Sequence, residues 1–406
     1  MNYKIERLKA ENYDELLHML NTVFHKTEGN TFDTFLPVMW KRDDAHMSKH
    51  LAIRQDGKLA AVVGIYPLPA VVNGEPITFA TIGNVATMPE FEGRGMMRAL
   101  MNEALKEAKR LGIDVARLSG ARQRYNRYGF ERAGVDYQFK LTQKNLMDYY
   151  QGKLVGNEIR YTGGSLSNGC AFERKFCFKQ VLPEEKDSLD RVMELEKNAP
   201  LYAKRGDAEQ FFQTLSAYQC KIWGAHNVLG KLVGYICATA DGSTIYEHRA
   251  NHAQDEYQML LDWILETEVR ELTIHTAPWE CELNMLLEKI CEKWGPTTPN
   301  MFCPFNWSKL LNALLKIKAT YAYIPSGSLI IQIEDYGTVE MSADCCVDTD
   351  KSPQITLSHL DAVRFLLGIF PPTTNYMLTE NLDAQTKLYI QSVLPLPLWW
   401  CNQDRV

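Results

Sequence analysis

The stretch Val85-Ala-Thr-Met-Pro89-Glu-Phe-Glu-Gly93-Arg-Gly95-Met-Met-Arg98 decides the fold of this chain, because it joins a strand pattern to a helix pattern through a glycine turn. Residues 77–88 are rich in apolar and β-branched residues, which is typical of a strand. In residues 96–111 apolar side chains recur at helical spacing, and Gly112 predicts the end of that helix. Such a junction leaves unpaired backbone N–H groups at the helix start, and these suit phosphate oxygens.

Two arginines strengthen the phosphate-binding interpretation of this turn. Arg94 and Arg98 lie four residues apart at the helix start, where guanidinium groups can donate charge-assisted hydrogen bonds to a polyphosphate. The glycine spacing alone is equally consistent with an ordinary turn whose glycines only supply backbone angles. The Gly-Lys-Ser/Thr ending of a P-loop is missing, and so is the third glycine of the dinucleotide fingerprint. Those two nucleotide-binding classes are therefore excluded.

Outward from the turn, the N-terminal part of the chain reads as one α/β unit with a mixed sheet flanked by helices. The hairpin dipeptides Asp56-Gly57 and Asn73-Gly74 separate strand patterns, and the closing segment runs from Tyr125 to Gly134. The predicted order before that segment is a strand ending near residue 8, a helix capped by Asn12, strands at 51–54, 58–67 and 77–88, the helix at 96–111 and a strand at 115–118.

The rest of the chain predicts two further units. One repeats the alternation of strands and helices from about residue 180, without a glycine turn, and ends in a helix reaching Trp294. Pro296-Thr-Thr-Pro299 predicts a break, because two prolines within four residues disfavour helix and sheet alike. A helix at 308–317, a hairpin at 328–343 and a helix at 358–367 follow. The predicted domains are residues 1–145, 146–297 and 298–406.

Length and composition set limits on the function. A chain of 406 residues exceeds one ordinary core, its formal net charge is -6, and it has no run of five basic residues. Nucleic acid is therefore not expected as a partner. No apolar run approaches 18 residues and the N-terminus opens with charges, so we expect no membrane partner and a cytoplasmic location. The ten cysteines lack CxxC pairs and are expected to be reduced core residues.

Two motifs together resemble a known superfamily. Val85 to Leu100 resembles the acetyl-CoA-binding segment of the GNAT N-acetyltransferases, and Tyr125-Asn-Arg-Tyr-Gly-Phe130 resembles their second signature. The three-unit layout resembles the Eis (enhanced intracellular survival) acetyltransferases over essentially the whole chain. That resemblance implies tandem GNAT folds, the second of them degenerate, followed by a sterol-carrier-protein-like α+β domain.

The resemblance also implies a function. We expect an acetyl-CoA-dependent N-acetyltransferase, with acetyl-CoA as co-substrate, no metal, and an aminoglycoside- or polyamine-like amine as acceptor. Eis-like enzymes commonly assemble as hexamers, so a hexamer is expected. Two alternatives stay open: a protein-lysine acetyltransferase, and a non-catalytic protein that binds acyl-CoA or lipid through its C-terminal unit.

The roles of individual residues follow from the same resemblance. Tyr125 matches the general acid, and the C-terminal carboxylate of Val406 matches the base. A phenol with a pKa near 10 can protonate a departing thiolate when it is placed close and desolvated. His25, Glu28 and Trp40 are possible acceptor contacts. The predicted cofactor-binding residues are Val85, Ala86, Thr87, Gly93, Arg94, Gly95, Met96, Met97, Arg98, Gly120 and Ala121.

Some residues depart from the pattern or compete for a function. Glu92 stands where the superfamily usually has Gln or Arg, and like-charge repulsion predicts that its carboxylate points away from a diphosphate or pairs with an arginine. The pairs His46/His50 and His248/His252 lack the glutamate of a zinc-protease helix, so we expect surface positions. Adjacent Cys345 and Cys346 lack a suitably spaced histidine, which argues against a thiol nucleophile.

Overall fold

The computed structural model describes residues 3–156, 158–162, 170–370 and 376–404. Arg405 and Val406, and with Val406 the predicted base, lie outside the described residues. The elements of the first segment are β1 (Ile5–Arg7), α1 (Tyr13–Val23), α2 (Phe32–Phe35), α3 (Asp44–Met47), β2 (His50–Gln55), β3 (Lys58–Val72), β4 (Glu75–Thr87), α4 (Met96–Arg110), β5 (Val115–Leu118), α5 (Arg122–Tyr125), β6 (Glu131–Ala133) and β7 (Asp136–Leu141).

The middle and C-terminal segments continue the alternation of strands and helices. The middle elements are α6 (Gln143–Tyr149), β8 (Gly152–Val155), β9 (Glu158–Tyr161), β10 (Cys170–Glu173), β11 (Cys177–Gln180), α7 (Lys186–Glu196), β12 (Leu201–Ala203), α8 (Ala208–Leu215), β13 (Lys221–His226), β14 (Leu232–Ala238), β15 (Thr244–Ala250), α9 (Ala253–Thr267), β16 (Leu272–Thr276), α10 (Cys281–Glu288) and β17 (Lys293–Thr297). The C-terminal elements are β18 (Asn300–Pro304), α11 (Trp307–Tyr321), β19 (Ser328–Ile333), β20 (Gly337–Ser342), β21 (Cys346–Asp348), β22 (Ile355–Leu357), α12 (His359–Leu367), α13 (Tyr376–Thr379) and α14 (Ala384–Val393).

The first sheet has the order β1-β2-β3-β4-β5-β18-β6, and β12 also pairs with β3. Its strands are antiparallel except for β4 and β5, which run parallel and are connected through α4. The apolar face of α4 packs on this sheet, as its helical spacing predicts, with Leu100, Met101, Ala104 and Ala108 fully buried. The helix ends before Gly112, whose φ of +68° is the left-handed conformation that favours glycine.

The second sheet repeats this plan in the order β11-β13-β14-β15-β16-β7-β17. Here β15 and β16 are the parallel pair, and the buried helix α9 connects them as α4 connects β4 and β5. The turn before α9 is Asn251-His252 and contains no glycine. The predicted α/β class, with mixed sheets flanked by helices, is therefore confirmed. A three-stranded sheet, β10-β9-β8, lies apart from these two.

The C-terminal segment forms a small sheet, β21-β20-β19-β22, with α11, α12 and α14. One continuous core joins these helices to the face of the first sheet opposite α4, through residues such as Val72, Phe79 and Leu311. The resemblance of this segment to sterol-carrier proteins stays a prediction. No helix in the described ranges is both long and apolar enough to cross a membrane.

Two strands cross the predicted domain boundaries. Strand β7 belongs to the second sheet, between β16 and β17, and β18 inserts into the first sheet between β5 and β6. The segment Pro296–Pro299 lies where the chain passes from one sheet to the other. The three-domain division stays a prediction, but the sheets exchange strands across its boundaries.

Several local predictions were wrong. The helix expected to reach Trp294 ends at Glu288, and Lys293–Thr297 is the edge strand β17. Pro296 is compatible with a strand there because an edge position needs no ladder hydrogen bond from its nitrogen. Asn12 does not cap α1 through its side chain, since its Oδ1 accepts from Lys9 N–H at 2.9 Å. All ten cysteines are free, as predicted, but Cys170 and Cys177 are exposed.

Strand β3 is also longer than predicted, since it extends to Val72 and contains both Pro67 and Pro69. Both prolines pair with β4 on one side only. On the other side β2 begins at His50, opposite Gly64, and β12 ends at Ala203, opposite Ala70. The prolines therefore occupy a gap in the sheet where no backbone donor is required.

Candidate active site

Strand β4 carries a bulge at the centre of the first sheet. Val62 pairs with Ala86 and Gly64 pairs with Gly83, so Asn84 and Val85 together face the single residue Val63. Asn84 has φ +51°, a conformation that asparagine tolerates better than most residues. A bulge of this kind bends the strand and changes where its side chains and amides point.

The parallel neighbours β4 and β5 separate just before this bulge. Residues Phe79–Thr81 of β4 pair with residues Val115–Arg117 of β5. Beyond Thr81, β4 continues to Thr87 without β5 as a neighbour. Among the described strands, none pairs with that edge of β4 over residues 82–87. The gap therefore exposes backbone groups of β4 to whatever enters between the strands.

The glycine turn completes the same region. Gly93 and Gly95 have φ values of +74° and +80°, which side-chain-bearing residues rarely adopt. Gly95 is the N-cap of α4, and the first helical hydrogen bond runs from Ala99 N–H to the Gly95 carbonyl at 3.1 Å. The first turn of α4 carries no acidic residue, so its N–H groups and dipole are left for an external anion.

A cavity of about 440 Å³, called the turn cavity, lies between the bulge and the turn. The predicted cofactor residues 85–87 and 93–97 all line it, whereas Arg98, Gly120 and Ala121 do not. Arg124 also lines it and was missed, because nothing in its sequence neighbourhood distinguishes it from Arg122 and Arg127. The remaining lining residues are Val23, Phe24, Phe91 and Glu92.

Of the charged side chains in the turn, Arg94 has protein partners and Glu92 has no basic partner among the described residues. The Arg94 guanidinium donates to the Glu90 carbonyl at 3.0 Å and lies 5.2 Å from the Phe91 ring centre. Tyr3 Oη donates to the Arg94 carbonyl at 2.6 Å, which connects the turn to the segment before β1. Glu92 lines the cavity, and no basic group of the described chain lies within 4.0 Å of its carboxylate. Of the two predicted alternatives for Glu92, the ion pair with an arginine is therefore not observed within the described residues, and an orientation away from the diphosphate stays a prediction.

Comparison with protein families matches this region directly: residues 4–133 match the acetyltransferase (GNAT) domain family. The predicted enzyme class, N-acetyltransferase, is thereby confirmed, and such enzymes take an acyl-CoA and an amine as substrates. The match includes β4, the bulge, the turn and α4, which are the elements around the turn cavity.

Solved structures resemble the whole chain. A GCN5-related N-acetyltransferase from Kribbella flavida aligns over 100% of both chains, at 16% identity and a TM-score of 0.67. A probable N-acyltransferase from Enterococcus faecalis V583 aligns over 98% of this chain and 97% of its own, at 15% and 0.67. Eis1 from Mycobacterium abscessus covers 99% and 100%, at 14% and 0.64. At these identities the likeness establishes the fold alone. No curated protein is similar enough to match.

Tyr125 lies at the end of α5, beside α4. Its side chain is 6% exposed and packs in the core under α4. A Cβ on Gly120 would lie 3.0 Å from the Tyr125 ring, so glycine at that position leaves room for the ring. Burial raises the pKa of Tyr125, opposed by the charge of Arg124, which lines the turn cavity. Tyr125 itself does not line that cavity, and its role as acid stays a prediction.

A buried polar group next to the bulge was missed by the sequence analysis. His50 Nδ1 donates to the Met47 carbonyl at 3.1 Å, so Nε2 accepts from Tyr66 Oη at 2.7 Å. Asn84 Nδ2 in turn donates to Tyr66 Oη at 2.5 Å. Burial lowers the pKa of His50 to about 4, which keeps the imidazole neutral. The predicted surface position of His50 is therefore wrong, because β2 is covered on both faces.

A second cavity of about 210 Å³, called the tail cavity, opens at the gap in the sheet beside β3. Thr81, the last residue of β4 that pairs with β5, lines it, so this cavity reaches the point where the two strands separate. Its other lining residues are Leu36, Val38, Met39, His46, Lys49, Tyr66, Pro67, Leu68, Pro69, Lys204, Arg205, Gly206, Gln210, Thr214, Ala217, Gln403 and Asp404.

The last described residues are held at this cavity by buried hydrogen bonds. Arg205 Nε and Nη2 donate to the Asp404 carboxylate at 2.8 and 2.9 Å. Arg117 Nη1 donates to the Asp404 carbonyl at 2.7 Å. Trp400 packs on Phe79, with ring centres 4.3 Å apart, and Gln403 Nε2 donates to the Leu215 carbonyl at 2.8 Å. The C-terminal segment is therefore buried as far as Asp404, the last residue that the structure describes.

Arg205 is the centre of a larger ionic cluster. It donates to Glu247 at 2.9 and 2.6 Å, and its Nη1 lies 3.0 Å from Glu196 Oε1 without hydrogen-bond geometry. Burial raises the pKa of Glu196 to about 8, although Arg205 opposes it. Burial raises the pKa of Glu247, but the charge and hydrogen bonds of Arg205, together with the charge of Arg249 and a hydrogen bond from Cys401, lower it to about 2.

The predicted acceptor contacts are scattered. His25 and Glu28 are exposed after α1, and neither lines the turn cavity or the tail cavity. Trp40 is 7% exposed and packs with Tyr13 and Phe32 in the core beneath α1 and α2. Its ring centre lies 6.0 Å from that of His50, so it supports the polar group described above. Their roles as acceptor contacts stay predictions.

His248, also expected at the surface, is fully buried in β15. It lies with Glu256 and Glu280 close enough to suggest a metal site. However, His248 Nδ1 contacts Glu256 at 2.5 Å and Nε2 contacts the His275 carbonyl at 3.0 Å. Since both ring nitrogens face oxygen atoms, neither has a free lone pair for a metal ion. The cluster is a buried ion pair, and the Glu256 charge raises the pKa of His248 against its burial.

Proposed function

We propose that this chain transfers the acetyl group of acetyl-CoA to an amine. The observation that carries the proposal is the position of the turn cavity. It lies between the free N-terminus of α4, suited to the diphosphate, and the exposed edge of β4, suited to the pantetheine amides. The tail cavity reaches the same strand gap from the other side, which suits the amine.

In the proposed reaction, the amine nitrogen attacks the acetyl carbon and forms a C–N bond while the C–S bond breaks. Backbone N–H groups at Val85–Thr87 stabilise the oxyanion that develops on the acetyl oxygen. The CoA thiolate leaves with the electron pair of the C–S bond and takes a proton from Tyr125. The attacking nitrogen loses a proton to give the neutral amide, and a proton from solvent restores the Tyr125 phenol. An acceptor that binds as an ammonium ion must first lose a proton to a base, because only the uncharged amine has the lone pair that attacks.

For that base, the resemblance predicts the carboxylate of Val406. The support is that Gln403 and Asp404, the last described residues, line the tail cavity. A free carboxylate is a weak base for an ammonium group, so burial or a bridging water must assist it. Deleting Arg405 and Val406 is expected to lower kcat and to leave acetyl-CoA affinity unchanged. Unchanged turnover would remove this carboxylate from the mechanism.

Titration calorimetry with acetyl-CoA tests the cofactor part of the proposal. The parent protein is expected to bind acetyl-CoA, and Met97→Glu is expected to abolish binding by placing a carboxylate at the N-terminus of α4. Asn102→Glu adds the same charge on the exposed side of that helix and is the matched control. Absence of acetyl-CoA binding by the parent protein would overturn the proposed function.

The acceptor is the open part of the proposal. Aminoglycosides, polyamines and peptide lysines are the classes that the Eis resemblance implies, and a panel of these amines with acetyl-CoA separates them. Binding of acetyl-CoA without turnover of any amine would instead support the non-catalytic alternative. A hexamer is likewise proposed from resemblance alone, and light scattering of the purified protein tests it.

A further inference from the structure

The tail cavity is lined partly by apolar side chains and partly by polar and charged ones. Pro67, Leu68 and Pro69 of β3 form one side, and Leu36, Val38 and Met39 from the segment after α2 form another. Its volume of about 210 Å³ is below the range of roughly 300–1,000 Å³ that is usual for drug-sized ligands. The volume and the apolar lining therefore suit a small acceptor with an apolar body rather than a multi-ring sugar.

The described lining contains more basic than acidic side chains. The basic side chains are those of His46, Lys49, Lys204 and Arg205, and the acidic one is that of Asp404. Asp404 is 7% exposed, and both of its carboxylate oxygens accept hydrogen bonds from Arg205. It is therefore not available to a cationic acceptor.

The two lysines of the lining are not compensated in this way. Within the described residues, neither the Lys49 nor the Lys204 ammonium has a carboxylate within 4.0 Å. Asp43 acts on Lys49 from farther away, and its own carboxylate contacts His46 Nδ1 at 2.8 Å. Burial lowers the pKa of Lys49, as expected for a cation that has lost water and gained no partner. Lys204 is exposed at the cavity mouth.

Resting on the proposed function, we infer that the acceptor of this enzyme is a small amine that also carries an anionic group, a carboxylate or a phosphate. Lys49 and Lys204 bind that anion, and the apolar wall contacts the body of the molecule. The amine then faces Thr81 and the strand gap, where the C–N bond forms and the C–S bond of acetyl-CoA breaks. A polycation such as an aminoglycoside would instead meet the ammonium groups of Lys49 and Lys204, near which no described carboxylate lies within 4.0 Å.

Matched pairs of amines test this inference with the full-length protein and acetyl-CoA. Phenylalanine is compared with phenethylamine, and O-phosphoethanolamine with ethanolamine, because each pair differs only in the anionic group. Spermidine and kanamycin represent the polycations. We expect kcat/KM to be at least 10-fold higher for the anionic member of one pair. The pair that shows the preference distinguishes a carboxylate from a phosphate.

Lysine variants connect that preference to the tail cavity. Lys49→Met and Lys204→Met are each expected to reduce kcat/KM for the anionic amine at least 10-fold. For the amine of the same pair that lacks the anionic group, kcat/KM is expected to change less than 2-fold. Lys58→Met removes an exposed lysine at the start of β3, the strand that forms one side of the cavity, and is the control. The KD of acetyl-CoA is expected to be unchanged in all three variants.

The outcomes separate this inference from the proposed function. Faster acetylation of spermidine or kanamycin than of either anionic amine would overturn the inference and leave the acetyltransferase proposal standing. Equal turnover within both pairs would do the same. If acetyl-CoA does not bind, the proposed function fails. In that event, binding of N-acetylphenylalanine by calorimetry, lost in Lys49→Met, would still support an anion site, and absence of binding would overturn it.

Discussion

Asn84 adopts its left-handed conformation, φ +51°, in a buried environment that its side chain helps to build. Its amide donates to Tyr66 Oη, which donates to the neutral His50. Because the polar atoms that form these hydrogen bonds are buried, removing one partner would leave an unsatisfied group and lower the free energy of unfolding by about 1–3 kcal/mol. The three residues therefore stabilise the bulge that separates β4 from β5.

Gly64 makes room for this polar group. A Cβ at Gly64 would lie 2.5 Å from Tyr66 Oη, so Gly64→Ala must displace the tyrosine. We expect a loss of about 1–3 kcal/mol in the free energy of unfolding, measured by urea denaturation, together with a lower kcat. Gly295→Ala is the control, because no atom lies within 4 Å of its added Cβ. Parent-like stability of Gly64→Ala would show that Tyr66 is not held where the structure has it.

Tyr125→Phe tests the predicted acid. Loss of the phenol proton is expected to lower kcat by about 10²–10⁴-fold and to change the KD of acetyl-CoA less than 2-fold. Tyr128→Phe, a similarly buried neighbour, is expected to keep its kcat. Since burial raises the pKa of Tyr125, the acid stays protonated through neutral pH, and the rate falls only as pH rises through that raised pKa above 10. A Tyr125→Phe enzyme with parent-like kcat would assign the acid elsewhere.

At the scale of the element, the turn and the start of α4 act as one anion-binding unit. The glycines provide the positive φ values, and the helix provides free N–H groups and a dipole. The arginine of the turn is bonded to a carbonyl and stacked on Phe91. Binding is therefore expected to depend more on backbone groups than on the Arg94 side chain.

Glu92 is the side chain that opposes this unit, because it adds a negative charge to the lining of the turn cavity. Glu92→Gln is expected to lower the KD of acetyl-CoA about 2- to 5-fold at low salt, and the gain is expected to shrink as salt rises. Glu90→Gln, which changes an exposed carboxylate outside that lining, is the control. Weaker binding by Glu92→Gln would mean that the carboxylate contributes a contact to the cofactor.

At the scale of the whole molecule, Arg205 connects three parts of the chain. It joins Glu196 of α7 and Glu247 of β15 to Asp404 near the C-terminus, while β12 next to it pairs with the first sheet. Asp404 also accepts from Arg117 of β5 through its carbonyl. Both sheets and the C-terminal segment therefore converge on one buried cluster beside the tail cavity.

This cluster predicts a pH dependence of stability. The pKa of Glu196 is raised from 4.5 to about 8 in the folded protein, so between these values the folded state binds a proton that the unfolded state has released. The free energy of unfolding therefore falls as pH rises through that window, by at most about 1.4 kcal/mol per pH unit for one proton.

Urea denaturation of the parent and Glu196→Gln between pH 5 and 8 measures this contribution. The variant is expected to lose less stability with rising pH than the parent, since its amide cannot ionise. Glu194→Gln, an exposed carboxylate on the same helix, is expected to follow the parent. Identical slopes for the parent and Glu196→Gln would show that Glu196 ionises normally in the fold.

The sequence contained enough to predict the elements around the turn cavity. Strand β4, the glycine turn and α4 depend on residues close together in the chain, and residues 85–87 and 93–97 were predicted to act together. Arg124, the group around Tyr66 and the ionic cluster of Arg205 were not predicted. Each of them depends on contacts between residues that are far apart in sequence, such as Arg205 and Asp404.

The sequence by itself determined the class of this protein, because periodicity, hairpin dipeptides and positive-φ glycines are local properties that persist in any packing. It also carried the GNAT motifs, which lie within residues 85–130. Only the tertiary structure decided which strands share a sheet, since β7 and β18 cross between sheets without any local sign. It alone placed Lys49, Lys204 and Asp404 around one cavity, because burial and charge compensation arise when distant segments pack together.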